Sequence, residues 1–441
     1  MTKPPVPQTA PAQGAFRSLR NRNYRLWALG GFVSNVGTWM QRTAQDWLVL
    51  TQLTHHNASA VGVVMALQFG PQVVLFPLTG YAADHYDRRK LLSLTQALLG
   101  VLALGLGLLT VLGVVQTWHV YVFALLIGCV SAFDLPARQS FVAELVGERD
   151  LANAVSLNAT SFHAARTVGP AVAGAVIAAV GTGWAFIINA ASYLGVLCAL
   201  AMLRSSELHA QARAARSQSG LVDGFRYVAR RPDLITILCM LALIGTFGFN
   251  FAIFISTMAV REFHASVAGF GALTSCMAVG SVLGAFLSAR RAQPRIALLM
   301  IGAGCFGLGC SLAALAPSYA WFGVALALIG VFAQTFTTST NSLVQLSTEP
   351  SMRGRVLAIL MAISLGGTPL GAPLVGYVAD VFGPRWALGL AALAGFLATL
   401  IGIWYLARYR NLSLRFQSGR PQLRFDDTER PPTPAVECEP L

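Results

Sequence analysis

Residues 92–114 read LSLTQALLGVLALGLGLLTVLGV, a stretch without a charged side chain that follows directly on Asp87-Arg88-Arg89-Lys90-Leu91. At a rise of 1.5 Å per residue such a stretch makes a helix of roughly 35 Å, enough to cross about 30 Å of hydrocarbon. Eleven further apolar runs of comparable length lie at 25–52, 60–82, 118–136, 153–180, 184–203, 234–257, 267–288, 296–316, 320–345, 356–380 and 386–408. In lipid each backbone polar group must be satisfied within the structure, which leaves helices and closed barrels. A barrel would show alternating segments of about ten residues, and no such period is sustained. The expected fold is an all-α membrane protein of twelve transmembrane helices.

The whole composition agrees. The chain is 55% hydrophobic and 11% charged, where soluble domains carry about 25% charged residues. Its net charge of +13 could suggest nucleic acid, but the cations are sorted by loop. Lys3, Arg17, Arg20 and Arg22 precede the first run, which opens on Arg25, and Arg88, Arg89 and Lys90 lie between the second and third. Arg138 and Arg149 lie between the fourth and fifth, Arg204 to Arg231 in the centre, Arg290, Arg291 and Arg295 between the eighth and ninth. Arg353 and Arg355 lie between the tenth and eleventh, and six arginines follow from Arg408. The opposite loops hold only Arg261 and Arg385. Cytoplasmic loops carry the excess of Lys and Arg, so both termini are expected in the cytoplasm of a bacterial inner-membrane protein. The charge is then explained by orientation and lipid headgroups, and no nucleic-acid partner is expected.

Residues 1–15 and 409–441 are polar or proline-rich and are expected to be disordered tails. Residues 204–232 form a basic linker between two six-helix halves, 16–203 and 233–408. The halves echo each other at one constant offset: Gly128, Ser140, Val142, Gly169, Gly174, Gly181 and Trp184 correspond to Gly330, Ser342, Val344, Gly371, Gly376, Gly383 and Trp386. Parallel six-helix repeats are a transporter construction that places the substrate site between them.

The second run ends in Gly80-Tyr-Ala-Ala-Asp84-His-Tyr-Asp87-Arg88-Arg89-Lys90. A carboxylate at this point can pair with cations or cap a neighbouring helix N-terminus, locking that face in one state. The stretch resembles the loop signature of the major facilitator superfamily, G-x-x-x-D-(R/K)-x-G-(R/K)-(R/K), matched by Gly80, Asp84, Arg88 and Arg89, with His85 and Asp87 as departures. The D-R-R variant resembles the transmembrane secretion-effector branch, which includes the enterobactin exporter and macrolide-efflux-like proteins. Thr38 to Arg42, Asp134 to Gln139, Asp150 to Val155 and Met352 to Val356 are similar to that branch as well. The resemblance implies alternating access driven by an ion gradient. Gly169-Pro170-Ala-Val-Ala-Gly174 is similar to the G-P-x-x-x-G element of drug/proton antiporters, which implies export. Such antiporters often carry an arginine in the fourth helix, and none lies in 120–133.

Charges inside the membrane cost roughly 2.5–3.5 kcal/mol each at a helix centre, so their survival points to function. Arg42 and Asp46 are four apart in the first run, hence on one face and able to pair, and Asn35 and Thr38 extend the stripe. His163 and Arg166 lie three apart near mid-depth of the fifth run. Asp46 or His163 is expected to carry a proton, against the simpler reading of a static Arg42–Asp46 pair. In the tenth run Gln334, Thr338 and Asn341 share a face, as a cavity wall or as interhelical glue.

No G-x-x-x-x-G-K-[ST] occurs, no nucleophile–base pair stands out, and the seven cysteines lack metal-ligand or disulfide spacing. No enzyme activity, cofactor or metal is expected. The expected function is proton-coupled efflux of a small amphiphilic molecule, drug-like or siderophore-like, by a monomer. A gradient-driven importer and a non-transporting membrane sensor or scaffold are the alternatives.

Overall fold

The computed structural model describes residues 16–75, 78–79, 82, 85–209, 221–289, 296–409, 413–417 and 420–424. Its long helices are α1 (Arg22–Trp47), α2 (Ala58–Val74), α3 (Arg88–Val111), α4 (Thr117–Gly147), α5 (Arg149–Val180), α6 (Thr182–Ala201), α7 (Pro232–Glu262), α8 (Val267–Ala289), α9 (Ile296–Ala314), α10 (Tyr319–Ser347), α11 (Arg353–Val381) and α12 (Pro384–Tyr409). A short helix, Leu221–Ala229, precedes α7. Starts are written locally: Asn21, Asn57, Asp87 and Ser318 each accept a hydrogen bond from a first-turn amide of α1, α2, α3 and α10, satisfying donors that the helix cannot. Gly181 (φ 95°) and Gly383 (φ 102°) make the tight turns after α5 and α11, a conformation that a Cβ would strain.

Ten of these helices, α3 to α12, are long and apolar enough to cross a membrane. Against the twelve spans expected, α1 differs because Asn35, Gln41, Arg42, Gln45 and Asp46 interrupt its apolar character. The described part of α2 is 17 residues long.

The boundary of α4 needs correcting. The apolar run ended at 136, yet the backbone stays helical to Gly147 and resumes at Arg149, broken only where Gly147 takes φ 68°. Polar residues past the hydrocarbon keep the helix with their amides satisfied inside it, so hydropathy stops before the helix does. Arg138, assigned to a loop, therefore stands on α4. Ser413–Gln417 and Arg420–Arg424, in the segment expected to be disordered, pair as a two-stranded antiparallel ribbon; alternation of polar and apolar residues in Ser-Leu-Arg-Phe-Gln suits a strand. Residues 1–15 lie outside the described residues.

The glycine echo has a geometric counterpart. A Cβ on Gly128 would strike the α2 backbone at Gln68, and one on Gly330 the α8 backbone at Met277. Gly169 meets α1 at Trp39 and Met40, and Gly371 meets α7 at Thr246. Gly174 meets α8 at Val267 and Ala268, and Gly376 meets α2 at Ala58 and Ser59. Each partner helix in one list stands six positions from its counterpart in the other.

Contacts sort into two ends. At the end nearer the chain termini Arg17 pairs with Asp150 (2.9 Å) and Arg88 with Glu144 (2.6 Å), while Asn23 binds the backbone of Arg204. At the distal end Arg385 pairs with Glu262 (2.9 Å) and Arg261 with Asp380 (3.3 Å). The two lone distal arginines of the sequence are thus both answered. The distal end is drawn shut. Asp380 of α11 accepts from Ala58 N (2.8 Å), Ser59 N (2.8 Å) and Ser59 Oγ (2.6 Å), capping α2. Gly62 and Gly376 bring α2 against α11, and Gly174 and Gly271 bring α5 against α8.

Candidate functional site: a buried cavity pair meeting at Arg42

Two cavities share Arg42. The larger, about 600 Å³, is lined from α1 to α6 and includes Trp27, Asn35, Thr38, Asp134, Arg138, Asn158, His163 and Tyr193. It follows α1 from Arg42 back to Trp27, about 22 Å at 1.5 Å per residue, towards the termini end. The smaller, about 190 Å³, lies between α1, α2 and α5 on one side and α7, α8 and α11 on the other. Trp39, Arg42, Asp46, Gln68, Phe69, Arg166, Phe249, Phe251, Phe270 and Thr368 are among its walls.

The helical spacing of Asn35, Thr38, Arg42 and Asp46 explains why α1 serves both cavities: residues three and four apart share a face. Its opposite side is fixed to α6, where Asn189 Nδ2 donates to Gln41 Oε1 (2.5 Å) and Asn189 Oδ1 accepts from Ser192 Oγ (2.9 Å). The α7 side arrives through a break. Between a wide turn at Ile244–Gly248 and the helical Phe251–Thr257, Phe249 and Asn250 leave helical geometry, and Phe249 and Phe251 turn into the smaller cavity. Non-helical backbone at membrane depth is tolerated where it is buried or lines a cavity. Asn250 Nδ2 repairs part of the break by donating to Thr246 O (2.7 Å). Phe254, on the same stretch, is fully buried in the core instead.

The charges divide into answered and unanswered ones. Asp134, 8% exposed, accepts from Thr95 Oγ1 (2.7 Å) and Gln96 Nε2 (2.6 Å) and pairs with Arg138 Nε at 3.2 Å. Arg138 also lies over Trp27, its Cζ 5.4 Å from the ring centroid. By contrast, Arg42 and Arg166 both stand over Trp39, at 5.0 and 5.5 Å, and Arg42 lies over Phe69 at 5.4 Å. Among the described residues neither guanidinium has a carboxylate oxygen within 4.0 Å. The Nε of Arg42 is buried without a hydrogen-bond partner. The Arg42–Asp46 pair that the spacing allowed is therefore not closed, although both residues line the smaller cavity. His163 lines the larger one, with a buried Nδ1 that has no partner.

The other residues singled out in the sequence fall elsewhere. Gln334 donates to Thr338 Oγ1 (3.2 Å) and Asn341 to Thr337 O (3.0 Å), bonds within α10 itself, and none of the three lines either cavity. Gly169, Pro170 and Gly174 form the close crossings of α5 with α1 and α8. Arg88 pairs with Glu144, and Arg89 binds Leu200 O (2.6 Å) and Ser205 Oγ (2.7 Å). Gly80 and Asp84 lie outside the described residues. Sequence reasoning missed Asp134 and Arg138 as cavity residues, although their i,i+4 spacing signalled a pair. It also missed Asp380, although Gly376-Tyr-Val-Ala-Asp380 repeats the pattern of Gly80-Tyr-Ala-Ala-Asp84.

Comparison with known proteins bears on this arrangement. Residues 13–418 match the family model described as transmembrane secretion effector. The chain is 24% identical to the staphyloferrin A transporter of Staphylococcus aureus, over 87% of this chain and 96% of that protein. It is 26% identical to the enterobactin exporter EntS of Escherichia coli, over 86% of this chain and 90% of that protein. A bacterial homologue of the human lysosomal transporter Spinster, solved in an inward-facing and occupied conformation, superposes with a TM-score of 0.68. It is 16% identical and covers 90% of this chain and 98% of its own, a likeness of fold.

Proposed function

The chain belongs to the transmembrane secretion effector family of the major facilitator superfamily, and from that premise we propose that it is a proton-coupled exporter of a siderophore-like or drug-like amphiphile. Membrane transport, and not enzymatic catalysis, is the family's business. The observation that carries the finer reading is the cavity pair: unpaired charge at membrane depth is affordable only around a polar space, and here that space runs from the termini end to a closed distal end. In this reading α1 to α6 and α7 to α12 are two halves of a twelve-span bundle, with the constant glycine offset and its matching contacts as support. The first half spans 16–203 and the second 233–408, joined by the cytoplasmic linker 204–232. Both termini face the cytoplasm of a bacterial inner membrane, as the arginine distribution favours.

The conformation described is then the one that loads from the cytoplasm. Substrate enters the larger cavity, passes Arg42 and occupies the space between the halves. Opening of α2 from α11 and of α5 from α8 at the distal end releases it. Asp46 and His163 are the groups placed to exchange a proton along this route, and Gly80, Asp84, Arg88 and Arg89 act as the cytoplasmic latch of the opposite state. Measuring cellular accumulation of a panel of siderophore-like and drug-like compounds tests direction. Deletion of the gene should raise accumulation of the substrate and overexpression lower it; the reverse pattern would make the protein an importer.

A further inference from the structure

We propose that the smaller cavity is an anion clamp: Arg42 and Arg166 together hold the carboxylate, phenolate or similar anionic head of an organic substrate whose planar part lies against the surrounding aromatic rings. The proposal rests on the transport reading of the cavity and adds the charge of its ligand.

The fold shows how it treats an arginine meant to be static. Arg138, Arg261, Arg385 and Arg231 each have a carboxylate oxygen at 2.7 to 3.3 Å. Arg42 and Arg166, which both line the smaller cavity, have none among the described residues. Removing a guanidinium from water without a counter-charge is the expensive case. Stacking on an indole returns only part of it, since cation–π contacts are worth about 0.5–2 kcal/mol. Two cations within 5.0 and 5.5 Å of one ring centroid, that of Trp39, also repel each other. Asp46 is the one carboxylate on the smaller cavity's wall, so an excess positive charge remains there even with Asp46 ionised. A ligand anion answers all of this at once, and the planar forks of two arginines suit a planar oxyanion.

The walls supply the rest of the specificity. Phe69, Phe249, Phe251 and Phe270 face the same 190 Å³ as the guanidiniums, a volume equal to about six waters. It takes a single ring-sized head, and the remainder of a larger molecule extends past Arg42 into the 600 Å³ cavity. Hydroxamate, catecholate and carboxylate heads all meet the description, whereas a quaternary ammonium or polyamine head does not.

The test uses the full-length protein in nanodiscs of phosphatidylcholine and measures binding of 1-naphthoate against uncharged 1-naphthamide by calorimetry. Naphthoate should bind at least tenfold more tightly. Arg42→Gln and Arg166→Gln should each weaken naphthoate binding by about ten- to a hundredfold, the worth of a charged hydrogen bond, while an unchanged helical circular-dichroism spectrum and a single elution peak show that the variants are folded. Equal affinity for the two probes, or naphthoate affinity indifferent to both substitutions, overturns the proposal. So does naphthoate binding that disappears when phosphatidylglycerol is added to the discs, because the occupant is then a lipid headgroup. No gradient is needed for this assay, so naphthoate binding without transport would refute export alone, and gradient-driven movement of cations without naphthoate binding would refute the clamp alone.

Discussion

Replacing Asp380 by alanine removes the carboxylate that ties α11 to the start of α2. Three hydrogen bonds of 2.6 to 2.8 Å go with it, together with the 3.3 Å contact to Arg261. Bonds to an ionised group contribute about 1.5–3 kcal/mol each when buried. The Asp380 side chain is 23% exposed, and on opening, water takes over most of what the carboxylate and the α2 amides lose. A net loss of about 2–3 kcal/mol from the distally closed state is therefore expected, which at 1.4 kcal/mol per tenfold shifts the closed-to-open ratio roughly 30- to 150-fold. Asp380→Asn keeps an acceptor for α2 but no charge, and should fall about midway. Spin labels at His56 and Phe382, both exposed at the distal end, in a cysteine-free background would report the separation by electron double resonance. The wild type should show one short distance, and Asp380→Ala a majority of longer ones. An unchanged distribution in the alanine variant would refute the assignment of this contact as the distal latch.

Other expectations follow from the same division of charges. Arg42→Met removes a charge that has no carboxylate oxygen within 4.0 Å among the described residues; it should stabilise the fold by about 1–3 kcal/mol, read as a higher melting temperature, while abolishing transport. A lower melting temperature would mean that Arg42 is answered in the resting protein. Asp134→Asn does the opposite by stranding Arg138 and should cost about 3–5 kcal/mol. The double variant with Arg138→Gln should recover most of that in thermal unfolding, and failure to recover would show that Asp134 serves more than its arginine.

Much of this was legible in the sequence because lipid enforces a simple code: uncharged runs become helices, and charges that remain inside them collect on one wall. Asn35, Arg42 and Asp46 were read that way; Asn35 and Arg42 line the larger cavity, and Arg42 and Asp46 the smaller. The code fails in three places for identifiable reasons. It stops where hydrocarbon stops, so α4 seemed to end before Arg138 although its backbone hydrogen bonding runs on to Gly147. It also gives the face of a helix without giving the neighbour. Gln334, Thr338 and Asn341 do share a face, but their polar groups are spent on α10 itself, and an added Cβ on Gly284 of α8 would meet the Gln334 side chain. Asp380 was hidden for a third reason, since its partners are backbone amides 321 and 322 residues away.

In the transport reading, charge at membrane depth is kept for a moving substrate. The most direct test is a pH jump on proteoliposomes carrying the protein in one orientation, with anionic, neutral and cationic amphiphiles outside the vesicles on the cytoplasmic face. An acid interior should drive the preferred compound inward, and Asp46→Asn should uncouple that movement from the gradient. Folded, correctly oriented protein that moves no member of the panel in response to pH would contradict it.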